Sequence, residues 1–182
     1  MFIIENAEEI MNEEFNNYIP PSWDERFMKQ VYFVAECSKD PRTKIGAVLV
    51  KDKNIIATGY NGFPRGVSDN KDRYLDKNIK YKMVAHAEDN AILTCARLGI
   101  STLNSILYTN GIPCNTCTIS LIQGGIKEIV VHKQWPNLIY SPIWVESINI
   151  SNIMLQEAGI NIRWLDKELN MTGYLDGKKF KV

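Results

Sequence analysis

The sequence predicts an α/β fold in which a central mixed sheet of about five strands is flanked by helices. Three observations predict it. Short β-branched apolar runs alternate with longer segments whose apolar residues recur at helical spacing. The first two runs are joined by a polar turn, as in a hairpin. Each later run follows a helical segment, the order that lays strands side by side under helical layers. At 182 residues, 45% apolar and 23% charged, the chain is in the range of one globular domain with a single core.

Residues 1–22 read as an acidic arm, because Glu5, Glu8, Glu9, Glu13 and Glu14 stand there with no Lys or Arg up to residue 20. From Trp23 to Cys37 apolar residues fall at helical spacing (Trp23, Phe27, Val31, then Val34 or Ala35), with Ser22 placed to cap the start. Ile45–Val50 and Ile55–Tyr60 are strand-like runs about a turn at Lys53-Asn54. Residues 61–72, with Gly62, Pro64, Gly66, Asp69 and Asn70, have the composition of a loop that the polar stretch to Lys82 continues. A loop of that length is commonly functional. Ala85–Leu98 is helical with Gly99 as its stop, Ser105–Thr109 is a strand, and Cys114–Gln123 is a helix closed by Gly124-Gly125. Lys127–His132 is a strand, Ser141–Ala158 a helix ended by Gly159, and Ile160–Leu165 the last strand. Residues 23–165 thus form the domain, and residues 166–182 read as a polar tail with a turn at Asp176-Gly177.

Composition excludes several classes. The longest apolar runs, such as Ile45–Val50 and Ile126–Val131, are far short of the roughly 20 residues that cross a bilayer. Met1–Ile10 lacks the basic start and apolar stretch of a secretory signal, so a cytoplasmic setting is expected. Net charge is zero. Residues 39–82 nevertheless hold eleven Lys or Arg against five Asp, a region that welcomes a small anion. The acidic arm, the neutral balance and the absence of basic residues interleaved with aromatics disfavour a nucleic-acid partner. Two of the four cysteines form a C-x-x-C, which in such a chain points to metal or redox chemistry rather than disulfides.

The chemistry concentrates in two short motifs. His86-Ala87-Glu88 opens one helix, and Pro113-Cys114-Asn115-Thr116-Cys117 opens another after an intervening strand. Either alone is common, but H-x-E followed by P-C-x-x-C is the pattern of zinc nucleobase and nucleotide deaminases. Cys114 and Cys117, three apart, share a helical face where two thiolates can grip one ion, and His86 supplies a third ligand. First-turn N–H groups and the helix dipole favour thiolate there. Three protein ligands leave one position for water, whose pKa on zinc falls to about 7. Glu88 is placed to act as general acid and base. A closed four-ligand site is disfavoured. Cys95, nine residues beyond His86, falls roughly 13 Å along the helix on its opposite face, Cys37 reads as a small buried hydrophobe, and His132 reads as a surface or rim residue.

On these residues the chain resembles the deoxycytidylate (dCMP) deaminases of the cytidine deaminase-like superfamily. The resemblance runs from about Trp23 to Leu165 and includes Gly46-Ala47-Val48, Gly59-Tyr60-Asn61-Gly62-Phe63-Pro64-Arg65-Gly66, His86 to Ile92, Pro113 to Cys117 and Leu121 to Ile126. It implies a cytidine deaminase-like fold, one Zn2+ per chain, and hydrolysis of dCMP to dUMP and ammonia. It also implies Asn61 at the deoxyribose, or else as a turn residue, and Arg65 and Arg42 at the phosphate. Ala87, between His86 and Glu88, counts with the substrate contacts. Where the family has a tyrosine closing over substrate, Trp135 to Tyr140 stands here, so Trp135 or Tyr140 stacks on the base or anchors a subunit interface. The resemblance further implies a homo-oligomer, hexamer or dimer, with dCTP and dTTP as effectors. Competing readings keep the chemistry on dCTP, deoxycytidine or a base in tRNA or single-stranded DNA, or make the chain a non-catalytic zinc-binding module.

Overall fold

Ser22 opens the first helix, α1 (Trp23–Ala35), through a capping box. Its hydroxyl accepts from the Glu25 N–H at 3.3 Å while Glu25 accepts from the Ser22 N–H at 2.8 Å. The inward face of α1 carries Phe27, Met28, Val31, Tyr32 and Ala35; Trp23, expected on that face, is half exposed and stacks on Phe27. The structure, a computed structural model, describes residues 18–135 and 142–182. The glutamates of the acidic arm lie outside the described residues.

Strands β1 (Gly46–Lys51) and β2 (Asn54–Tyr60) pair antiparallel about Asp52-Lys53. The turn falls one residue earlier than expected because both take positive φ, 49° and 60°, the geometry of a tight two-residue hairpin. The 61–82 stretch, read as loop, contains two short helices, α2 (Lys71–Leu75) and α3 (Lys77–Met83). Asn70 and Asp76 cap them by accepting first-turn N–H groups, and Tyr74 and Lys80 are buried. Polar composition concealed helices that are held by caps and one buried side chain each.

The remaining elements follow in order: α4 (Ala87–Leu98), β3 (Ile106–Thr109), α5 (Asn115–Gln123), β4 (Glu128–His132), α6 (Pro142–Glu157) and β5 (Asn161–Leu165). The five-stranded sheet has the order β2-β1-β3-β4-β5; β1 is antiparallel to β2 and β3, while β3, β4 and β5 run parallel. This is the expected mixed sheet. Both faces are buried, as the period of two along each strand requires. Val48, Val50, Tyr108 and Val130 face α1, whereas Ala47, Leu49, Leu107, Ile129 and Val131 face Ala87, Ala91, Leu121 and Leu155.

Residues past 165, read as a polar tail, form a second small sheet of β6 (Thr172–Leu175) and β7 (Lys178–Lys181), turning at Asp176-Gly177. Leu169 and Val182 are buried in the α1-side core, with Met171, Leu175 and Phe180 packed against it. Four lysines at 167, 178, 179 and 181 masked these apolar side chains. His132, read as a rim residue, is fully buried. Its Nε2 donates to the Lys167 carbonyl at 2.8 Å, which leaves Nδ1 to accept from the Tyr32 hydroxyl at 2.7 Å. Among the described residues no helix is long and apolar enough to cross a membrane.

Candidate active site

Two helix N-termini build the site. The first, of α4, rests on β2 at Gly59, where a Cβ would lie 2.1 Å from the Ala87 carbonyl oxygen and 2.5 Å from the Ala91 nitrogen. Only glycine permits that approach of backbone to backbone. It sets the height of His86, the N-cap of α4, and of Glu88 in its first turn. The second N-terminus is that of α5, with Cys114 as N-cap accepting from the Cys117 N–H at 3.5 Å. Helix α6 holds this end in place. The Ser147 hydroxyl accepts from the Asn115 N–H at 3.0 Å and donates to the Asn115 carboxamide at 2.8 Å.

His86 Nδ1 lies 3.3 Å from Cys114 Sγ and 3.4 Å from Cys117 Sγ, and the three ligand atoms sit within 4.8 Å of one another. Zinc at ordinary bond lengths, about 2.0 Å to nitrogen and 2.3 Å to sulfur, gives tetrahedral N···S edges of about 3.5 Å. One imidazole and two thiols at these spacings therefore fit zinc, and the trio is the one such cluster of three among the described residues. Cys95, on the core-facing side of α4, is fully buried and is not part of the cluster. The hydrogen bond with Cys117, reinforced by His86, lowers the pKa of the Cys114 thiol. Cys117 is pushed up by that same bond and by burial. His86 rises to about 9, first through its bond to Cys114.

Glu88 is 4% exposed, with Oε2 3.8 Å from Cys117 Sγ, and burial pushes its carboxyl up to about 7. A carboxyl raised by burial beside this trio of ligand side chains is a candidate proton carrier. Next to it, Asp89 Oδ2 lies 3.6 Å from Cys117 Sγ.

The cluster opens into a cavity of about 490 Å³ that His86, Ala87, Glu88 and Cys114 help to line. Asn61 lines it as well, but most of its polar capacity is committed. Its Oδ1 accepts from the Ile45 N–H at 2.9 Å, and its amide donates to the Thr43 carbonyl at 2.9 Å and to Asp40 at 3.4 Å. Arg42 reaches the cavity and pairs with Asp176. Arg65 is exposed on its loop and is not among the lining residues. Trp135 touches the cavity from within the core, where it is 4% exposed and packs against Tyr32 and Phe180. Tyr140 lies outside the described residues.

Sequence reasoning missed three groups that line the cavity. Trp144, on α6, has its ring 6.0 Å from that of His86; in sequence only the helical setting marked it. Asp40 and Lys80 form a buried ion pair at 2.5 Å, invisible because the partners are forty residues apart. Lys77 and Lys178 come from α3 and β7, both in stretches read as loop or tail.

The family model described as the cytidine and deoxycytidylate deaminase zinc-binding region matches residues 21–133. An uncharacterized deaminase encoded in the luxG 3' region of Aliivibrio fischeri is 35% identical over 147 residues, covering 81% of this chain and 96% of that protein. The deoxycytidylate deaminase of Schizosaccharomyces pombe is 35% identical over 156 residues, 81% of this chain but 45% of the relative, so the chain spans about half of that protein. Among solved structures, the dCMP deaminase of cyanophage S-TIM5 superposes in its apo form with a TM-score of 0.63 at 26% identity, over 81% of this chain and 100% of that one. The same phage enzyme has been solved in complex with dCMP and dUMP, and that form superposes with a TM-score of 0.59.

Proposed function

The chain belongs to the cytidine and deoxycytidylate deaminase family, and from that premise we propose that it catalyses the zinc-dependent hydrolytic deamination of dCMP to dUMP with release of ammonia. The observation that carries the reading is the buried Glu88 carboxyl beside the His86, Cys114 and Cys117 cluster in the wall of a cavity of nucleotide size. His86, Cys114 and Cys117 would hold the zinc, which would supply Lewis-acid activation of water as the nucleophile at neutral pH. Glu88 takes one proton of the attacking water and delivers it to the ring nitrogen next to the reacting carbon, then takes the remaining proton from the newly added hydroxyl and passes it to the departing amine, which leaves as ammonia. Water and dCMP thereby become dUMP and ammonia.

The rest of the cavity orients the substrate. Asn61 Oδ1 has a second lone pair for a sugar hydroxyl while its other bonds keep it rigid. Trp144, beside His86, offers an apolar face to the base, and Ala87 and Trp135 bound the same space. Homo-oligomeric assembly as a hexamer or dimer, with dCTP and dTTP as effectors, belongs to the same reading. Exposed Leu93 on α4 and Ile119 on α5 offer apolar surface to a second copy. A cytoplasmic setting agrees with four free cysteines.

The test measures zinc content and ammonia release from dCMP, dCTP, deoxycytidine and a tRNA in parallel, for the wild type and for Glu88→Gln. The wild type is expected to hold about one zinc and to prefer dCMP. Glu88→Gln should keep zinc and fold but lose about 10³-fold or more in kcat. Turnover of tRNA alone, or activity that survives Glu88→Gln, would refute the proposal.

A further inference from the structure

The cavity wall carries four cationic side chains, Arg42, Lys77, Lys80 and Lys178, besides the site already described, and two carboxylates, Asp40 and Asp176. Lys80 and Asp40 neutralise one another in their buried pair. What remains is three cations around Asp176. The Arg42 guanidinium donates to Asp176 Oδ1, and Arg42 foremost, then Lys77 and Lys178, hold the Asp176 carboxyl below its usual range. An exposed carboxylate thus sits where three cations converge on a cavity.

The hairpin turn that brings Asp176 and Lys178 there is fixed to the segment before β1. The Gly177 N–H donates to the Arg42 carbonyl at 2.7 Å, the Asp176 N–H donates to the Thr43 hydroxyl at 3.2 Å, and Lys44 bridges to Tyr174. Along β7 the side chains alternate. Lys178 lines the cavity, while the Lys179 ammonium lies 5.4 Å from the centre of the Tyr174 ring and is not among the lining residues.

Building on the proposed function, we infer that the β6–β7 turn is the phosphate-selecting wall of the cavity: Arg42, Lys77 and Lys178 bind the substrate's phosphate monoester, and Asp176 is the carboxylate it displaces from Arg42. A phosphate monoester carries about −1.5 to −2 charges at pH 7 and three acceptor oxygens. It satisfies an arginine fork and two lysines better than one carboxylate does. A nucleoside without phosphate leaves Asp176 in place and gains nothing from the two lysines. The hairpin therefore discriminates nucleotide from nucleoside at a distance from the reacting carbon.

The test compares Lys178→Ala, Lys179→Ala and Asp176→Asn in full-length, zinc-loaded protein, reading KM and kcat for dCMP and the melting temperature. Lys178→Ala should raise KM about threefold to fivefold, the scale of one exposed charge pair, with kcat kept. Lys77→Ala added to it should raise KM to about tenfold or more. Lys179→Ala, on the other face of the strand, should leave both constants unchanged. Asp176→Asn should lower KM by removing the competitor for Arg42. An unchanged KM in Lys178→Ala, an equal rise in Lys179→Ala, or a fall in kcat and melting temperature without a KM effect overturns the inference. A wild type that does not turn over dCMP overturns the proposed function itself, before any variant is compared.

Discussion

Replacing Gly59 with alanine tests how the fold positions the chemistry, because the substitution adds one methyl group at a residue that does not line the cavity. The new Cβ would stand 2.1 Å from the Ala87 carbonyl oxygen, and both nearest atoms belong to helix backbone rather than to a side chain that could swing away. Restoring ordinary contact near 3.4 Å requires the start of α4 to move off β2 by about 1.3 Å. Overpacking of this kind costs about 3 kcal/mol, the upper part of its usual range. For a chain of this size that lowers the melting temperature by roughly 6–12 °C. The moving residues flank His86 and Glu88, and a misplacement of about 1 Å at a reacting group costs about 10²-fold in rate. Gly59→Ala is therefore expected to lose about 10²-fold in kcat/KM for dCMP at temperatures where it remains folded. The assay is ammonia release alongside calorimetry, with Gly62→Ala as the control, since a Cβ there meets nothing closer than 3.8 Å. A Gly59→Ala protein with wild-type melting temperature and activity would refute the claim that this close approach sets the site.

Two further perturbations probe the buried polar groups. His132 is held neutral by burial, which pushes its pKa below 6.5; the unfolded chain therefore binds the proton first, and stability that is full above about pH 6.5 falls as pH drops, by up to about 1.4 kcal/mol per pH unit. Urea unfolding of wild type and His132→Asn at pH 7.5 and 5.5 should show the steeper loss in the wild type, and equal losses would mean that His132 does not titrate with folding. Lys80→Ala strands the Asp40 carboxylate, which is 0% exposed and accepts from the Arg42 and Thr43 N–H groups, and should cost about 3–5 kcal/mol. Asp40→Asn combined with Lys80→Met should recover much of that loss in the same assay; a Lys80→Ala cost below about 1 kcal/mol would contradict a buried, mutually dependent pair.

The candidate constellation was legible in the sequence because each half is local. His86 and Glu88 share the start of one helix, Cys114 and Cys117 the start of another, and ligand spacing within a helical turn survives whatever the rest of the chain does. The sheet and its flanking helices were legible for a similar reason, since period and punctuation are local signals. Where the residues that matter are joined only in space, the sequence was silent. Asp40 and Lys80 carry no mutual signal across forty positions, and Trp144 gains meaning only when α6 packs against the start of α5.

By itself, then, the sequence determined the class of fold and which histidine, cysteines and glutamate stand at the two helix starts, because helix-end chemistry and apolar periodicity are written in neighbouring residues. The tertiary structure alone decided which cations reach the cavity. Arg65 sits in the most recognisable loop and points to solvent, while Lys178 comes from a segment that reads as a polar tail. The physical reason is that Leu169, Met171, Phe180 and Val182 are too few to announce a hairpin in sequence, yet enough to seat one once the α1 face of the sheet is there to receive them.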